Sequence, residues 1–494
     1  MKRYVLLFAV LSAMILTGCS PDTDNYLKAI PDNPVAMLKV NAGNLLDESE
    51  LLENPIIKPM ISTSASQLPQ SMVDLFNEIV EEPEASGLDF DMPAVLAVAS
   101  AKPLNVVITL PVADKSRLEK MLQCFSDGDV EITTEGGVSR VNTYSNEFDI
   151  AYDDVKFVVA LAETGANVME YMNLQTGAVD NAEYNQFFSA VDDVVMFVSG
   201  DEIFDIVASD PYFMYNVRHA DDIDILNEIS LLLTLNFENG YAELAVNCDL
   251  PEEYKEKYAD FFVPSTKKHL KYVPEDAFLV LDMGCNTEEA LESMSEDEIK
   301  RMDSALSLLG LNATALPSLS GEITFAVFGP AEGPMLMAIF DCNAPAVFNS
   351  VISTLSMFMP FEKVEENVYS LGNLGNSNYN LAYLDEKIFF VPAGTFDMIK
   401  DGSGVAPLDR NALDNRLVSS MGNAALLDCD KLISALGDGF EMGGYESLVS
   451  SFESARFEVV SPTRTVFRVT IKETDINALK FAVDKAIGLY FQIR

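Results

Sequence analysis

The sequence predicts an α+β fold made of two tandem copies of one module, each with a mostly antiparallel sheet covered by helices. The stretch LKAIPDNPVAMLKV at residues 27–40 returns without gaps as LKYVPEDAFLVLDM at residues 270–283. AVLAVA around Ala97 and FAVFG around Ala326 lie 229 residues apart, and later pairs recur at nearly the same separation. Ordered matches at a near-constant separation are the signature of an internal repeat.

Short apolar runs in the first copy have the length of strands. Residues 35–40, 95–99 and 106–110 are almost unbroken in apolar side chains, which is typical of strands buried on both faces. The segment AYDDVKFVV, residues 151–159, predicts two strands joined by a tight turn, because Asp153 and the aspartate after it supply turn chemistry. We therefore expect antiparallel hairpins in each copy.

Helices are predicted after these strands. Asp114 is a suitable N-cap for the segment KSRLEKMLQCF, and Asn343 takes the same place before Pro345 in the second copy. One face of the first of these helices carries apolar residues at helical spacing: Leu118, Met121, Leu122 and Phe125. The pattern predicts helices that cover the sheet.

Both copies end alike, with two strands and then a helix. The strand ranges are 231–237 and 241–247 in the first copy, and 455–460 and 465–471 in the second. The polar segment at residues 264–268 is interpreted as the linker between copies. The predicted domains are therefore residues 26–265 and residues 266–494.

The charge of the chain excludes several kinds of partner. Its 494 residues include 77 acidic and 32 basic side chains, for a formal net charge of −45. Such a surface repels phosphate backbones, so no nucleic acid partner is expected. Attachment to anionic lipids through a basic patch is excluded for the same reason. Solubility is the simplest interpretation of the acidity.

The amino terminus has the pattern of a secretory signal. Lys2 and Arg3 precede an uncharged apolar stretch, residues 4–16, which is too short to span a bilayer as a helix. The sequence Leu16-Thr17-Gly18-Cys19 follows at once and resembles the bacterial lipobox. The resemblance implies a signal peptide at residues 1–18 that is removed, acylation of Cys19 (including palmitate), and a short anchored spacer at residues 19–25.

The same resemblance implies a place in the cell. Ser20 rather than aspartate follows the cysteine, which in bacterial lipoproteins favours the outer membrane. Asp22 and Asp24 match only partly the acidic run that marks surface export, so the periplasmic and the surface-exposed faces both stay open. The membrane is then contacted through a lipid anchor, since more than one acyl chain makes anchoring stable.

The search for catalytic motifs finds none, and we predict no catalytic residue, cofactor or metal site. The sequence lacks a P-loop, a GxGxxG motif after a strand, a GxSxG elbow and an HExxH motif. Only His219 and His269 are present, and His269, at the repeat position of Tyr26, is expected to have a linker or packing role. The acidic segment at residues 219–228 is interpreted as a solvated helix start rather than a metal site.

Two smaller signals remain as predictions. Asp303-Ser304-Ala305 resembles the three-residue acceptor of bacterial O-glycosylation, which makes Ser304 a candidate acceptor. Five cysteines follow Cys19, and buried free thiols are the default expectation for them.

The repeated K-x-[IV]-P-x-[DN] opening, just past a lipobox, resembles uncharacterised, domain-of-unknown-function, two-repeat lipoproteins of the outer membrane of Gram-negative gut anaerobes. That resemblance implies no activity. The first hypothesis is a non-catalytic, lipid-anchored binding or assembly protein with a protein or glycan partner in the cell envelope. The alternatives are a carboxylate-dependent, glycan-directed hydrolase and a carrier of lipids or lipoproteins, which needs a continuous apolar groove.

Overall fold

A computed structural model describes most of the chain. The described residues are 25–59, 69–125, 131–142, 147–163, 165–201, 228–329, 333–358, 361–374, 377–401, 423–436 and 446–493. Their secondary structure is mixed, with helices beside large antiparallel sheets, which confirms the α+β class.

The described α-helices are α1 (Ala42–Ser49), α2 (Gln70–Glu81), α3 (Lys115–Phe125), α4 (Val168–Met172), α5 (Asn185–Ser189), α6 (Glu252–Phe261), α7 (Thr287–Ser293), α8 (Glu296–Ser307), α9 (Pro345–Leu355), α10 (Ala393–Asp401), α11 (Cys429–Leu436), α12 (Glu446–Val449) and α13 (Ala478–Ile493). The 3₁₀ helices are Tyr26–Ala29, Pro83–Ser86, Ala178–Asp180, Ala182–Tyr184, Leu270–Tyr272 and Ala313–Leu319.

The described strands are β1 (Ala36–Val40), β2 (Ala94–Ala101), β3 (Leu104–Pro111), β4 (Glu131–Glu135), β5 (Val138–Asn142), β6 (Phe148–Tyr152), β7 (Lys156–Ala162), β8 (Val194–Ser199), β9 (Ser230–Glu238), β10 (Tyr241–Asp249), β11 (Phe262–Val263), β12 (Leu279–Cys285), β13 (Gly321–Phe328), β14 (Met335–Asp341), β15 (Glu362–Glu365), β16 (Val368–Leu374), β17 (Ser377–Leu384), β18 (Lys387–Pro392), β19 (Ala424–Asp428), β20 (Phe452–Ser461) and β21 (Arg464–Ile471).

The chain divides into two compact units. The first unit runs to Asp249 and also contains Thr474–Arg494, whereas the second unit is Leu250–Glu473. The first unit therefore includes the last helix, α13, which packs on α1. The predicted linker, residues 264–268, lies within the second unit.

Within each unit the strands pair antiparallel in a simple order. The first unit has the order β4-β5-β6-β7-β3-β2-β1-β8-β9-β10. The second unit has the order β15-β16-β17-β18-β14-β13-β12-β19-β20-β21. The short strand β11 pairs with the end of β12.

Helices cover the sheet of the first unit on both sides. Leu118 of α3 is fully buried in a cluster that also contains residues of α2 and β3. Tyr26 of the first 3₁₀ helix lies in a second cluster with residues of α4, α5 and β8. The prediction of strands buried on both faces holds for the end of β3, but β1 alternates between buried and half-buried residues.

Two of the three predicted caps and turns are present in the structure. The Asp114 carboxylate accepts hydrogen bonds from the amides of Ser116 and Arg117, at 2.8 and 3.0 Å, and so caps α3 as predicted. The Asp153 carboxylate accepts from two amides of its turn between β6 and β7, which confirms the hairpin. The predicted Asn343 cap is wrong: α9 begins at Pro345 with Ala344 as its N-cap.

Candidate functional site

One face of the second unit's sheet is apolar and exposed to solvent. Residues directly opposite one another on neighbouring strands form a row from Phe325 (β13) through Leu281 (β12), Ala425 (β19) and Phe457 (β20) to Phe467 (β21). We call this surface the open face. Its members are Leu279, Leu281, Met283, Ile323, Phe325, Val327, Leu336, Ala425, Leu427, Ala455, Phe457, Val459, Thr465, Phe467 and Val469.

The open face combines exposure with an absence of charge. Phe325, Phe457 and Phe467 are 36%, 48% and 43% exposed, and Leu279 is 38% exposed. None of its members is ionisable, and only Thr465 carries a hydroxyl group. A solvated face of an antiparallel sheet is normally polar. Contiguous exposed apolar surface instead marks a place where something binds.

The buried face of the same strands is unusually polar. It carries Asp282 on β12, Glu322 and Thr324 on β13, and Arg456 and Glu458 on β20, all of them buried. Arg456 and Glu458 form an ion pair at 3.7 Å on this face. These strands therefore reverse the usual pattern, with ionisable side chains inside and aromatic rings outside. Burial of polar groups is costly unless they are paired, so the reversal needs a compensating network.

His269 is at the centre of that network. Its Nε2 lies 3.1 Å from Asp341 Oδ1, and its Nδ1 lies 3.2 Å from Thr324 Oγ1. The Thr324 hydroxyl donates to Asp282, which lies directly opposite on β12. The Ser265 hydroxyl donates to the other oxygen of the same carboxylate. The network joins residues of the predicted linker to three strands of the sheet.

The carboxyl groups of the network titrate differently. Burial, then repulsion from Glu322, raises the pKa of Asp282 to about 6. Burial also acts to raise the pKa of Asp341, but hydrogen bonds from His269 and Lys268 outweigh it and hold the pKa at about 2. The Lys268 ammonium lies 2.5 Å from Asp341. Asp341 is therefore charged at neutral pH and paired with two basic groups.

The arrangement of Thr324, His269 and Asp341 has the residue types of a nucleophilic triad. Thr324 and His269 are 0% exposed, so no substrate can reach the hydroxyl in this structure. The Glu322 carboxylate accepts hydrogen bonds from the amides of Thr266 and His269, both at 3.0 Å. The cluster therefore fastens the start of the unit to its sheet, which confirms the packing role predicted for His269.

A second candidate site is an acidic pocket in the first unit, with a volume of about 530 Å³. Its lining residues are Asp47, Glu48, Glu50, Glu238, Asn239, Asp475, Ile476, Asn477 and Lys480. Burial, then repulsion from Asp193 and Glu238, raises the pKa of Glu48 to about 7. Glu48 shares a hydrogen bond with Asp193, which is 4% exposed and accepts from the Phe237 amide at 2.7 Å.

The structure describes only some of the predicted site residues. Leu16, Thr17, Gly18 and Cys19 lie outside the described residues, as does nearly all of the acidic segment at 219–228. Ser304 is exposed on α8, where its hydroxyl donates to the Lys300 carbonyl at 2.9 Å, and its glycosylation stays a prediction.

Cys124, Cys248, Cys285, Cys342 and Cys429 are free thiols, the last three buried. In the part of the chain that the structure describes, no group of three or more His, Cys, Asp or Glu side chains is placed to hold a metal ion. No described helix combines the length and the apolar character needed to cross a bilayer.

Sequence reasoning missed both candidate sites. On β20 the alternation is visible in the segment ESARFEV, but a reader of the sequence would direct Phe457 inward and Arg456 outward. The structure has the opposite orientation. Glu48 and Asp193 are 145 residues apart along the chain, so no local sequence pattern predicts that they lie together.

Comparison with known proteins gives a family but no activity. A family model described as "Domain of unknown function (DUF4836)" matches residues 26–327. No curated protein matches the chain. Crystal form I of TP0453 is similar at 13% identity, with a TM-score of 0.27, over 46% of this chain and 80% of that one. Crystal form III gives 13% identity and a TM-score of 0.26, over 47% and 81%.

Proposed function

Since the chain belongs to the DUF4836 family, which is described only as a domain of unknown function, we propose its function from its own surfaces. The protein is a non-catalytic, lipid-anchored binding protein of the cell envelope, and the open face is where its partner binds. One observation carries this proposal: aromatic rings lie outside and ionisable groups inside on the same strands. Stability of the isolated sheet favours the opposite arrangement, so the rings are placed for an occupant.

The energy available at the open face is large enough for specific binding. Moving a fully exposed phenylalanine side chain out of water stabilises a complex by about 1.5–3 kcal/mol. Phe325, Phe457 and Phe467 are each roughly half exposed, so covering all three contributes about 3 kcal/mol. The aliphatic members of the face add to this sum. A dissociation constant in the micromolar range requires about 8 kcal/mol beyond the cost of association, so the aliphatic members must contribute as well as the rings.

The anchor is the second part of the proposal. Acylation of Cys19 and removal of residues 1–18 would leave the protein tethered to the outer membrane by the spacer at residues 19–25. A Cys19→Ala variant is expected to lose palmitate labelling and to leave the membrane fraction. A variant that kept both would contradict the anchor.

The two units are further proposed to be copies of one module. In the first unit β1 pairs with β2 and β8, and in the second unit β12 pairs with β13 and β19. The remaining strands follow the same order in each unit, which supports the repeat seen in the sequence. The equivalent row of the first unit, Leu96, Leu38, Met196 and Leu233, is also apolar, but it lacks the exposed aromatic rings of the open face.

The binding role is tested with an uncharged apolar dye, N-phenyl-1-naphthylamine, whose fluorescence rises in apolar surroundings. The mature chain is expected to bind it, and Phe457→Glu to weaken binding about tenfold or more, because a carboxylate resists transfer out of water. Phe358→Glu is the matched control, since Phe358 is 77% exposed and outside the open face. Equal binding by all three proteins would contradict the proposal.

The pair of Glu48 and Asp193 favours the hydrolase as a second candidate. A carboxyl group with a pKa near 7 is suited to general acid catalysis at neutral pH. On this alternative, Glu48→Gln lowers hydrolysis of a responsive nitrophenyl glycoside by at least about a hundredfold. If the wild-type protein hydrolyses no member of a glycoside panel, this alternative fails.

A further inference from the structure

We infer that the occupant of the open face is the acyl chain of an uncharged or zwitterionic glycerolipid. The inference rests on the proposed function, which assigns binding to this face without naming the ligand. Three observations support it: the length of the apolar row, its lack of polar groups, and the charge of the rest of the chain.

The row is long enough for an acyl chain. Neighbouring strands lie about 4.8 Å apart, so the five strands from β13 to β21 in sheet order span about 19 Å. One leaflet of a bilayer's hydrocarbon core, which its acyl chains fill, is about 15 Å thick. An acyl chain laid across the strands therefore stays on the open face along its length. Phe340 of β14 packs edge-on against Phe325, with 5.5 Å between the ring centroids, and also packs on the core cluster under α9, so the row ends at β13.

The chemistry of the face fits an occupant without polar groups. An extended peptide laid on it would lose water from its amides and find only the Thr465 hydroxyl as a partner. Each unsatisfied buried amide costs about 1–3 kcal/mol, which offsets the gain from covering the rings. A hydrocarbon chain has no such groups to satisfy. The open face therefore favours an acyl chain over an extended peptide.

Charge complementarity selects among the remaining occupants. The chain carries a formal charge of −45, whereas the open face itself is uncharged. A second copy of the chain brings an equal negative charge, and self-repulsion opposes its approach. An anionic lipid headgroup is repelled in the same way. A lipid with an uncharged or zwitterionic headgroup suffers neither penalty.

The predicted anchor makes lipid the most concentrated apolar ligand available. The spacer at residues 19–25 extends to roughly 25 Å at most, at about 3.5 Å per residue. A tether of this length holds the chain beside a membrane at an effective concentration in about the millimolar range. Even modest affinity for a single acyl chain would then keep the open face occupied.

The experiment uses the full mature chain with Cys19→Ala, so that its own acyl chains do not compete. The protein is incubated with phosphatidylethanolamine vesicles, separated from them by flotation, and extracted for lipid mass spectrometry. The expected result is bound phosphatidylethanolamine in roughly equimolar amount. Phe457→Glu and Phe467→Glu, each in this background, are expected to retain about tenfold less, and Phe358→Glu as much as the parent. Thermal unfolding of each variant verifies that the second unit is intact.

The outcomes separate the inference from the proposed function. Lipid retained equally by the Phe457→Glu and Phe358→Glu variants, or no lipid retained by the parent, overturns the acyl-chain assignment. If the neutral dye still binds in a Phe457-dependent manner, the binding function stands and the occupant is a protein. Light scattering then shows whether that protein is a second copy of the chain. If neither dye nor lipid binds, both proposals fail.

Discussion

The two units bury different chemistry where each begins. In the first unit Tyr26 is 1% exposed, and its hydroxyl donates to the Pro93 carbonyl at 2.9 Å. In the second unit His269, at the aligned position of the repeat, is equally buried but bonds Asp341 and Thr324. A short 3₁₀ helix lies beside the sheet in both. It is fastened mainly by apolar packing in the first unit, and by apolar packing of Leu270 together with charged groups in the second.

This difference bears on which face of each sheet is covered. At the aligned position of β2, Val95 is fully buried in the cluster around Tyr26, whereas Thr324 of β13 belongs to the polar network. Polar side chains on the inner face of the second unit leave less apolar area to bury there. The apolar area lies on the open face instead. The second unit therefore buries a network of ion pairs beside its apolar cluster, whereas Tyr26 and Val95 of the first unit lie in apolar packing.

The largest expected effect comes from removing the charge that His269 and Lys268 share. Asp341→Ala removes the acceptor of three hydrogen bonds, from His269, Lys268 and the Glu322 amide. A hydrogen bond to a charged group contributes about 1.5–3 kcal/mol, so losing all three should cost more than about 3 kcal/mol. Hydrogen exchange measured by mass spectrometry should show lost amide protection across residues 250–473.

Asp430→Ala is the matched control for that prediction. Asp430 pairs with Lys472 in the same unit, but its side chain is 63% exposed. An exposed pair contributes less than about 1 kcal/mol, so protection should change little. Similar losses in the two variants would show that the buried network does not fasten the second unit.

The next effect in size is the part of the pH dependence of stability that Asp282 of the second unit contributes. The pKa of Asp282 is raised from 3.8 to about 6, so the folded unit binds a proton more tightly than the unfolded chain. The contribution of this proton to stability is therefore fully present below about pH 4 and is lost as pH rises through about 6, by about 3 kcal/mol in total. Asp282→Asn should flatten this decline in urea unfolding followed between pH 4 and pH 7. A variant that kept the wild-type slope would assign the titration to another group.

Part of this structure can be predicted from local sequence. The Asp114 cap, the apolar stripe with Leu118 and the turn at Asp153 each depend on residues within one helix or hairpin, and each is confirmed. Asn343 shows the limit of that reasoning. Its residue type suits a cap, but the helix begins one residue later, at Pro345, with Ala344 as its N-cap.

The candidate sites depend on information that local sequence lacks. Alternation on β20 shows that its two faces differ, but hydrophobicity alone directs Phe457 inward, against the structure. The buried carboxylate of Asp341 is stabilised by His269, which is 72 residues away along the chain. Such distant pairs decide which face of a strand points into the core, because a buried charge is stable only when its partner is buried beside it.

The smallest expected effect completes the comparison at the first unit. Tyr26→Phe keeps the ring and its packing but removes the hydroxyl that donates to the Pro93 carbonyl. The net contribution of a neutral hydrogen bond is about 1 kcal/mol, and no charge is left unpaired. Urea unfolding should therefore show a loss of about 1 kcal/mol that is the same at pH 5 and pH 7. A loss as large as that of Asp341→Ala would mean that the first unit also relies on its polar contacts, and the contrast between the units would disappear.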